Sequence, residues 1–469
     1  MASFGDLTEM YSQRGKMLLV LNNFKYKEHY RKLASGETKW RCAKDNCKAF
    51  IHTLGESSNR VITSLNANHT HVPEETNVLE RQILTYSVKR KAESDIAEKP
   101  AKVIRKELCT RTNMVSVTSK DLHCVRKNIY FARRKLVPAL PKSIGEVHQA
   151  LNELNPKTSR NEQFLLINDS IENLVIFSCK SNLEVLCTSK IIYIDGTFSY
   201  CTKFFKQLFS IHGYFNGHYV PLVFCLLSDK NENTYKTCLL KIRNVCTEYN
   251  FQFLPLEVVL DFEIAIHKAV LQVWDNVKLT GCRFHLTQSW YRQIQKLGLS
   301  QEYKNKNSDI GIWLRYCFGL LFLEPEEVDD FYFLELYEIK PNNESLEKFS
   351  DYLLNTYLTN ESKFPPHIWA NASADLNKTT NACESFHSHF NNSLYQTHPH
   401  LFIFVNELLS VQSEIYVKCN SINTPHRCNT VTKKKQNFIA NKISEYKNNK
   451  ITKLDFVKIV SHYYAHNNK

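Results

Sequence analysis

Two sets of side chains in this sequence have the types and spacing that could do chemistry. The first is sulfur and imidazole. Cys42 and Cys47 are separated by four residues, and His69 and His71 by one. Two thiolates and two imidazoles make up a standard tetrahedral zinc set. In the extended stretch His69-Thr70-His71 the two histidines point to one face, so Cys42, Cys47, His69 and His71 are the expected ligands of a structural Zn²⁺. The second set is carboxylate. Asp195 closes the apolar run Ile191-Ile192-Tyr193-Ile194, and Asp261 closes Glu257-Val258-Val259-Leu260. A carboxylate at the end of a buried strand is costly unless it is solvated, paired or metal-bound. Phosphodiester chemistry uses several such acids to hold two Mg²⁺ or Mn²⁺ ions roughly 3.5–4 Å apart. Glu384 is the third candidate; on a helix it shares a face with His387. Glu263 is a rival, but it directly follows the second strand and is expected to face solvent. Ordinary polar strand ends are the competing reading of all these acids.

Each set needs elements to position it. Residues 17–71 read as short strands: Met17–Leu21, Phe24–Lys27, Thr38–Cys42 and Arg60–Leu65, with turns at Ser35-Gly36-Glu37 and Gly55–Asn59. A sheet of about 55 residues has a thin core and needs a staple, which a metal supplies. From about residue 163 the pattern alternates. Ile191–Asp195, Gln207–Tyr214 and Tyr219–Leu227 read as strands, the last two joined at Asn216-Gly217. A helix over Thr234–Tyr249, a strand over Glu257–Asp261, a helix over Glu263–Trp274, a strand over Lys278–Arg283 and a helix to about Leu297 follow. Three hairpin-like strands and then helix–strand–helix–strand–helix is the element order of an RNase H-like α/β fold. Residues 300–375 read as a helical insertion, and no internal repeat is visible.

A Cys-x-x-His pair, Cys282 and His285, has three readings. It is half a zinc site completed by Cys383 or His387, a brace or DNA contact beside the acids, or a buried thiol next to a satisfied histidine. Trp40 and Tyr26 are expected to be core residues.

The 469 residues suggest about three domains. Apolar residues at 43% exclude wholesale disorder, and 12 glycines exclude collagen-like architectures. No apolar run is long enough for a membrane span. The start, Met1 to Asp6, lacks a basic and then apolar leader pattern, so the chain is expected in the cytosol or nucleus with its 15 cysteines reduced. The net charge of +13 is unevenly spread: +3 over residues 1–78, +10 over 79–142, −8 over 143–424 and +8 over 425–469. Basic segments flanking an acidic middle point to a polyanion, most often nucleic acid; a solubilising linker and tail are the competing reading. Lys433-Lys434-Lys435 reads as a solvated run, with nuclear import or phosphate contact as the alternative.

Phe24, Tyr26, Trp40, Cys42, Cys47 and His69-Thr70-His71 resemble a FLYWCH zinc finger. That resemblance implies DNA binding and sometimes protein contacts. Asp195-Gly196-Thr197-Phe198, Asp261-Phe262-Glu263-Ile264-Ala265, Cys282-Arg283-Phe284-His285 and Thr380-Asn381-Ala382-Cys383-Glu384-Ser385-Phe386-His387 resemble a MULE transposase domain over about 163–415. The resemblance implies a DDE core on an RNase H-like fold, with Asp195, Asp261 and Glu384 as catalytic acids that hold Mg²⁺ or Mn²⁺. It also implies that water attacks the phosphodiester at a transposon end and that the freed 3′-hydroxyl then attacks target DNA, with no covalent enzyme intermediate. A C-terminal Cys-x-Cys…His-x-His finger, common in plant-type members, does not match the spacing of Cys419, His426 and Cys428.

The expected fold class is therefore α+β multidomain: a small zinc-stabilised antiparallel β domain, then an RNase H-like α/β domain with a helical insertion. The expected segments are a finger at 10–75, a basic helical connector with some disorder at 79–162, core at 163–299, insertion at 300–375, core at 376–424 and a basic tail at 425–469. The expected function is metal-dependent DNA cleavage and strand transfer in the nucleus. A domesticated, non-catalytic DNA-binding transcriptional regulator is the alternative, and a protein-binding finger is a weaker third. DNA is the expected partner, a homo-oligomer is compatible with it, and no membrane is expected.

Overall fold

The computed structural model describes residues 7–12, 15–32, 36–56, 59–96, 98–111, 115–198, 200–374, 381–394, 396–426 and 430–464. Thr380 and Cys428 lie outside them. The chain forms two compact units, Met1–Leu140 and Pro141–Lys469.

The first unit opens with a six-stranded antiparallel meander: β1 (Thr8–Tyr11), β2 (Met17–Leu21), β3 (Phe24–Lys32), β4 (Thr38–Cys42), β5 (Phe50–Leu54) and β6 (Val61–Asn66). The β2 run Met17-Leu18-Leu19-Val20-Leu21 is apolar throughout because both its faces are covered. Leu19 and Leu21 join Tyr26, Trp40, Ala49 and Ile51 in one core, while Leu18 and Val20 pack with Met10 against Leu79. Leu79 belongs to α1 (Thr76–Ser94), followed by α2 (Pro100–Thr110) and α3 (Ser119–Leu136).

The basic segment after the finger is thus more than a connector. Leu84, Val88 and Ala92 of α1, Val103 and Ile104 of α2, and Val125 and Ile129 of α3 form a core of their own. The break between units falls after Leu140, because α1 serves both the sheet and the helix cluster. Thr118 and Asp121 start α3 with a reciprocal capping box.

Glu107 of α2 is buried and receives Lys91 Nζ at 2.6 Å and Arg111 Nε at 2.5 Å. Burial opposes its ionisation, yet hydrogen bonds from Lys91, Ser87 and Arg111 outweigh that and bring its carboxyl down to about 2 from an ordinary 4.5. Its stabilisation is therefore full above pH 4.5 and fades as pH falls toward 2. With Lys91 and Arg111 partly solvated, Glu107→Gln is expected to lose about 1–2 kcal/mol at pH 7 and to flatten the acid unfolding of this unit. Chemical denaturation at pH 7 and pH 3 checks this; equal losses at both values contradict it.

The second unit runs α4 (Ile144–Leu154), β7 (Leu165–Asp169), β8 (Leu174–Phe177), α5 (Lys180–Thr188), β9 (Ile191–Thr197), β10 (Gln207–Phe215), β11 (His218–Leu227), α6 (Glu232–Glu248), β12 (Glu257–Leu260), α7 (Ile264–Val273), β13 (Lys278–Gly281) and α8 (Arg283–Lys296). Short helices follow: α9 (Ser300–Lys304), α10 (Asp309–Cys317), α11 (Pro325–Phe331), α12 (Glu344–Leu353) and α13 (Pro366–Trp369). The chain closes with α14 (Asn381–Ser393), α15 (Leu401–Cys419), α16 (Thr430–Lys447) and α17 (Lys453–Tyr464). The strands form one mixed sheet in the order β13-β12-β9-β10-β11-β8-β7. β12 runs parallel to β9 and β13; β9, β10, β11, β8 and β7 pair antiparallel. β7 and β8 extend the sheet beyond the strands expected from the sequence.

The basic C-terminal segment is folded rather than a free tail. Ile439 and Ile443 of α16 and Phe456, Val457 and Val460 of α17 enter the same core as Trp290, Trp313, Phe318 and Phe349. Lys447 and Lys453 pair with Glu324 and Glu327 at 2.9 and 3.1 Å, so part of the basic charge neutralises acids at the start of α11. No helix among the described residues is long and apolar enough to cross a membrane.

Candidate functional site

The four Cys and His residues converge. Cys42 ends β4, Cys47 follows the turn after it, and His69 and His71 follow β6. Their ligand atoms all lie within 4.8 Å of one another. Tetrahedral zinc with bonds of about 2.0–2.3 Å needs ligand atoms only about 3.3–3.8 Å apart, so a small contraction closes the set. Cys42 Sγ lies 3.1 Å from His71 Nε2, and Cys47 Sγ lies 3.4 Å from His69 Nδ1. Those nitrogens face the centre.

The outward nitrogens are also held. His69 Nε2 is 2.8 Å from the Tyr26 hydroxyl, and His71 Nδ1 is 2.9 Å from the Val72 carbonyl oxygen. Phe24 stacks flat on the His69 ring at 3.6 Å. Such outer partners fix the ring orientation and the tautomer of a ligand. Burial, then the neighbouring His71, lowers the His69 pKa, favouring the neutral ring a metal needs. Burial, then the two cysteines, pushes the Tyr26 hydroxyl up to about 12, so it stays a neutral phenol whose oxygen accepts from the Nε2–H that a ring ligating through Nδ1 carries. Burial alone would raise Cys47, yet hydrogen bonds from the backbone at Ala49 and Thr70 bring it down to about 7. The set fits a structural zinc.

Tyr26 is both core and support, which its strand position alone did not reveal. Trp40 is core, with its indole N–H donated to Thr53 Oγ1 at 2.9 Å. Tyr26→Phe is expected to weaken zinc binding about tenfold while the sheet stays folded. A zinc competition titration with a colorimetric chelator checks this; unchanged affinity contradicts it.

The acids converge on the other unit. Val259 pairs with Tyr193 in parallel register, and Asp195 and Asp261 each lie two residues further along. Period-2 alternation therefore brings both acids to the same face and the same end of adjacent strands. Tyr193, Val259 and Cys383 pack together on that face, which seats α14 over it. Glu384, His387, Ser388 and Asn391, spaced as one helical face, line an open cleft of about 430 Å³ with Asp195, Thr197, Tyr200 and His285.

Two histidines tie the acids. His285 Nε2 is 2.9 Å from Glu384 Oε1, and its Nδ1 is 3.5 Å from Asp261 Oδ1. His387 Nδ1 is 3.0 Å from Asp195 Oδ2, and its Nε2 is 2.9 Å from Ser210 Oγ, which also lies 2.9 Å from His212 Nε2. Burial works against a charge on His285. Hydrogen bonds with Cys282 and Glu384 and the field of Asp261 outweigh it and raise its pKa to about 11. The imidazolium thus stands between two of the three acids. Among the described residues the carboxylates do not gather into one ligand cluster. The hard oxygen donors suit Mg²⁺ or Mn²⁺ in kind.

Of the readings of Cys282 and His285, the brace agrees with this geometry. Cys383 and His387 do not complete a zinc set with them among the described residues. Arg283 is buried and donates to the Asn371 carbonyl at 2.9 Å, fixing the start of α8 to the segment after α13. Phe262 lies over Gly281, where a Cβ would come within 2.3 Å of its ring, and this close approach anchors the chain next to Asp261. Glu263, the rival acid, accepts from Tyr235 Oη at 3.0 Å and Lys230 Nζ at 3.1 Å and does not line the cleft. Ser210 and His212 went unnoticed in the sequence; on a strand that is buried on both faces nothing distinguishes them from packing residues.

Residues 9–71 match the FLYWCH zinc finger domain, and residues 191–289 match the MULE transposase domain. The chain carries the two in that order. A comparison with curated proteins finds no match. The FLYWCH match ends on His71 and includes the whole Cys/His set. The MULE match runs from β9 into α8 and includes Asp195, Asp261, Cys282 and His285; Glu384 and His387 lie beyond its end.

Proposed function

We propose that this is a nuclear MULE-like transposase that binds DNA and cuts and joins it at a DDE site formed by Asp195, Asp261 and Glu384. The observation that carries the reading is the meeting of Asp195 and Glu384 on one cleft with Asp261 tied to Glu384 through His285, two of the acids lying inside a matched transposase domain and the third about 95 residues beyond its end. The strand order β13-β12-β9-β10-β11, antiparallel across β9–β11 and parallel across β9–β13, supports an RNase H-like core. In this reading residues 300–375 are an insertion that separates the third acid from the first two in sequence.

Bound at these acids, Mg²⁺ or Mn²⁺ would activate the attacking oxygen and stabilise the leaving one. The chain's own part is positioning. His387 orients Asp195, and Ser210 holds the far nitrogen of that ring. His285 pairs with Glu384 and lies beside Asp261, offsetting part of their negative charge. Thr197, Tyr200, Ser388 and Asn391 offer hydrogen bonds to a phosphodiester in the cleft. The zinc finger supplies a second DNA contact.

Incubating the full chain with DNA flanking its own gene and Mn²⁺ tests the proposal. Metal-dependent nicking supports it. Binding without nicking favours the domesticated regulator, in which the acids are retained without catalysis.

His387→Ala is expected to raise the Mn²⁺ concentration needed for half-maximal nicking about 10–100-fold, with unchanged melting and DNA affinity. An unchanged metal requirement removes His387 from this role.

A further inference from the structure

We infer that α3 is a further DNA-binding element beside the zinc finger, whose outward face docks on duplex DNA through its phosphates. The inference rests on the DNA-binding part of the proposed function, but α3 lies outside both matched domains. The helix carries six basic residues and one acid, and that acid, Asp121, is buried in the cap. Five of the six, Lys120, Arg126, Lys127, Arg134 and Lys135, are exposed. None is ion-paired among the described residues. Its neighbours differ. On α1, Arg81 pairs with Asp121, Lys89 with Glu93 and Lys91 with Glu107; on α2, Lys102 and Lys106 share Glu98. Among the described residues α1 and α2 thus pair five of their seven cations, all but Arg90 and Arg105, whereas none of the five exposed cations of α3 is paired.

The arrangement is ordered as well as basic. Lys120, Lys127 and Arg134 stand seven residues apart and form one stripe along the helix. Phe131, 66% exposed, falls on the same stripe, with Tyr130 beside it at 46%. Val125, Ile129 and Ala132 fill the opposite face and hold the helix rigidly in the cluster. Beside the stripe, Phe131 and Lys135 line a cleft of about 330 Å³ with Arg81, Tyr86 and Lys89 of α1. Unpaired cations interleaved with exposed aromatics on a rigid helix fit a nucleic acid. A helix about 10–12 Å across matches the major groove of B-form DNA, about 12 Å wide, whereas the A-form groove of duplex RNA is too narrow to admit it.

The test is a fluorescence anisotropy titration of the zinc-loaded full chain against duplex DNA and duplex RNA over a range of salt. The variant is K120Q/K127Q/R134Q, and the control is K102Q/K106Q on α2. Zinc content and melting temperature establish that both fold. The expected result is a loss on the order of 100-fold in DNA affinity near 0.1 M salt for the variant, with the salt slope reduced by about 3. The control should leave both unchanged. A variant that binds DNA like the wild type overturns the assignment to α3 and leaves DNA binding by the chain standing. A wild-type chain that binds no duplex DNA overturns both. Equal wild-type affinity for duplex RNA, lost equally in the variant, overturns duplex DNA as the partner.

Discussion

Replacing Cys47 with Ser, or removing zinc with a chelator, should unfold the sheet of residues 9–71 and leave residues 141–469 folded. The finger core holds few large residues, chiefly Leu19, Leu21, Tyr26, Trp40 and Ile51. A structural zinc contributes about 10–16 kcal/mol of folding free energy in small domains of this kind. Losing even one ligand removes several kcal/mol of that, more than the few kcal/mol that a core of this size supplies. The ligands hold β4 and the segment after β6 together, so their release frees the edge that carries His69 and His71. Limited proteolysis with mass spectrometry checks this. Early cleavage within residues 9–71 and a protected C-terminal unit are expected. A chelated chain as resistant as the zinc-loaded one would contradict a structural role for the metal.

The second large effect concerns the acids. Asp195→Asn, Asp261→Asn and Glu384→Gln are each expected to cut the rate of metal-dependent nicking by at least about 10³, or about 4 kcal/mol of barrier. Pairs of these substitutions should cost little more than one, because the acids act as a unit. DNA affinity should stay within about threefold of wild type, since the finger and α3 are untouched. Gel-based rates at saturating protein measure both. Variants that nick normally would move the chemistry elsewhere. Glu263→Gln serves as the comparison, because Glu263 is engaged with Lys230 and Tyr235 away from the cleft.

Much of this architecture is legible in the sequence, for identifiable reasons. The β9–α8 elements follow from apolar runs of strand length bounded by turn residues, and the register of β12 on β9 then brings Asp195 and Asp261 together. The zinc set is legible because its ligand types are rare and closely spaced. Glu384 could be suspected only from its helical neighbour His387 and from the motif around it, since more than 100 residues of chain separate it from Asp261. The packed α16 and α17 were hidden by their charge: Ile439, Ile443, Phe456 and Val457 are few among lysines, and the core they join runs from Leu286 to Ala370, far earlier in the chain. The Ser210–His212 support was hidden by burial on both strand faces. The double use of α1, against the sheet through Leu79 and against α2 and α3 through Val88, depends on tertiary packing that no local pattern carries.

The most direct measurement is the chemistry of the DNA ends formed with Mn²⁺ by the wild-type chain and by Asp195→Asn, compared on one gel. The account predicts 3′-hydroxyl ends from the wild type, no protein–DNA adduct, and no cleavage by the variant or in a chelator. Cleavage that persists in Asp195→Asn, or strands left covalently attached to the protein, would contradict it.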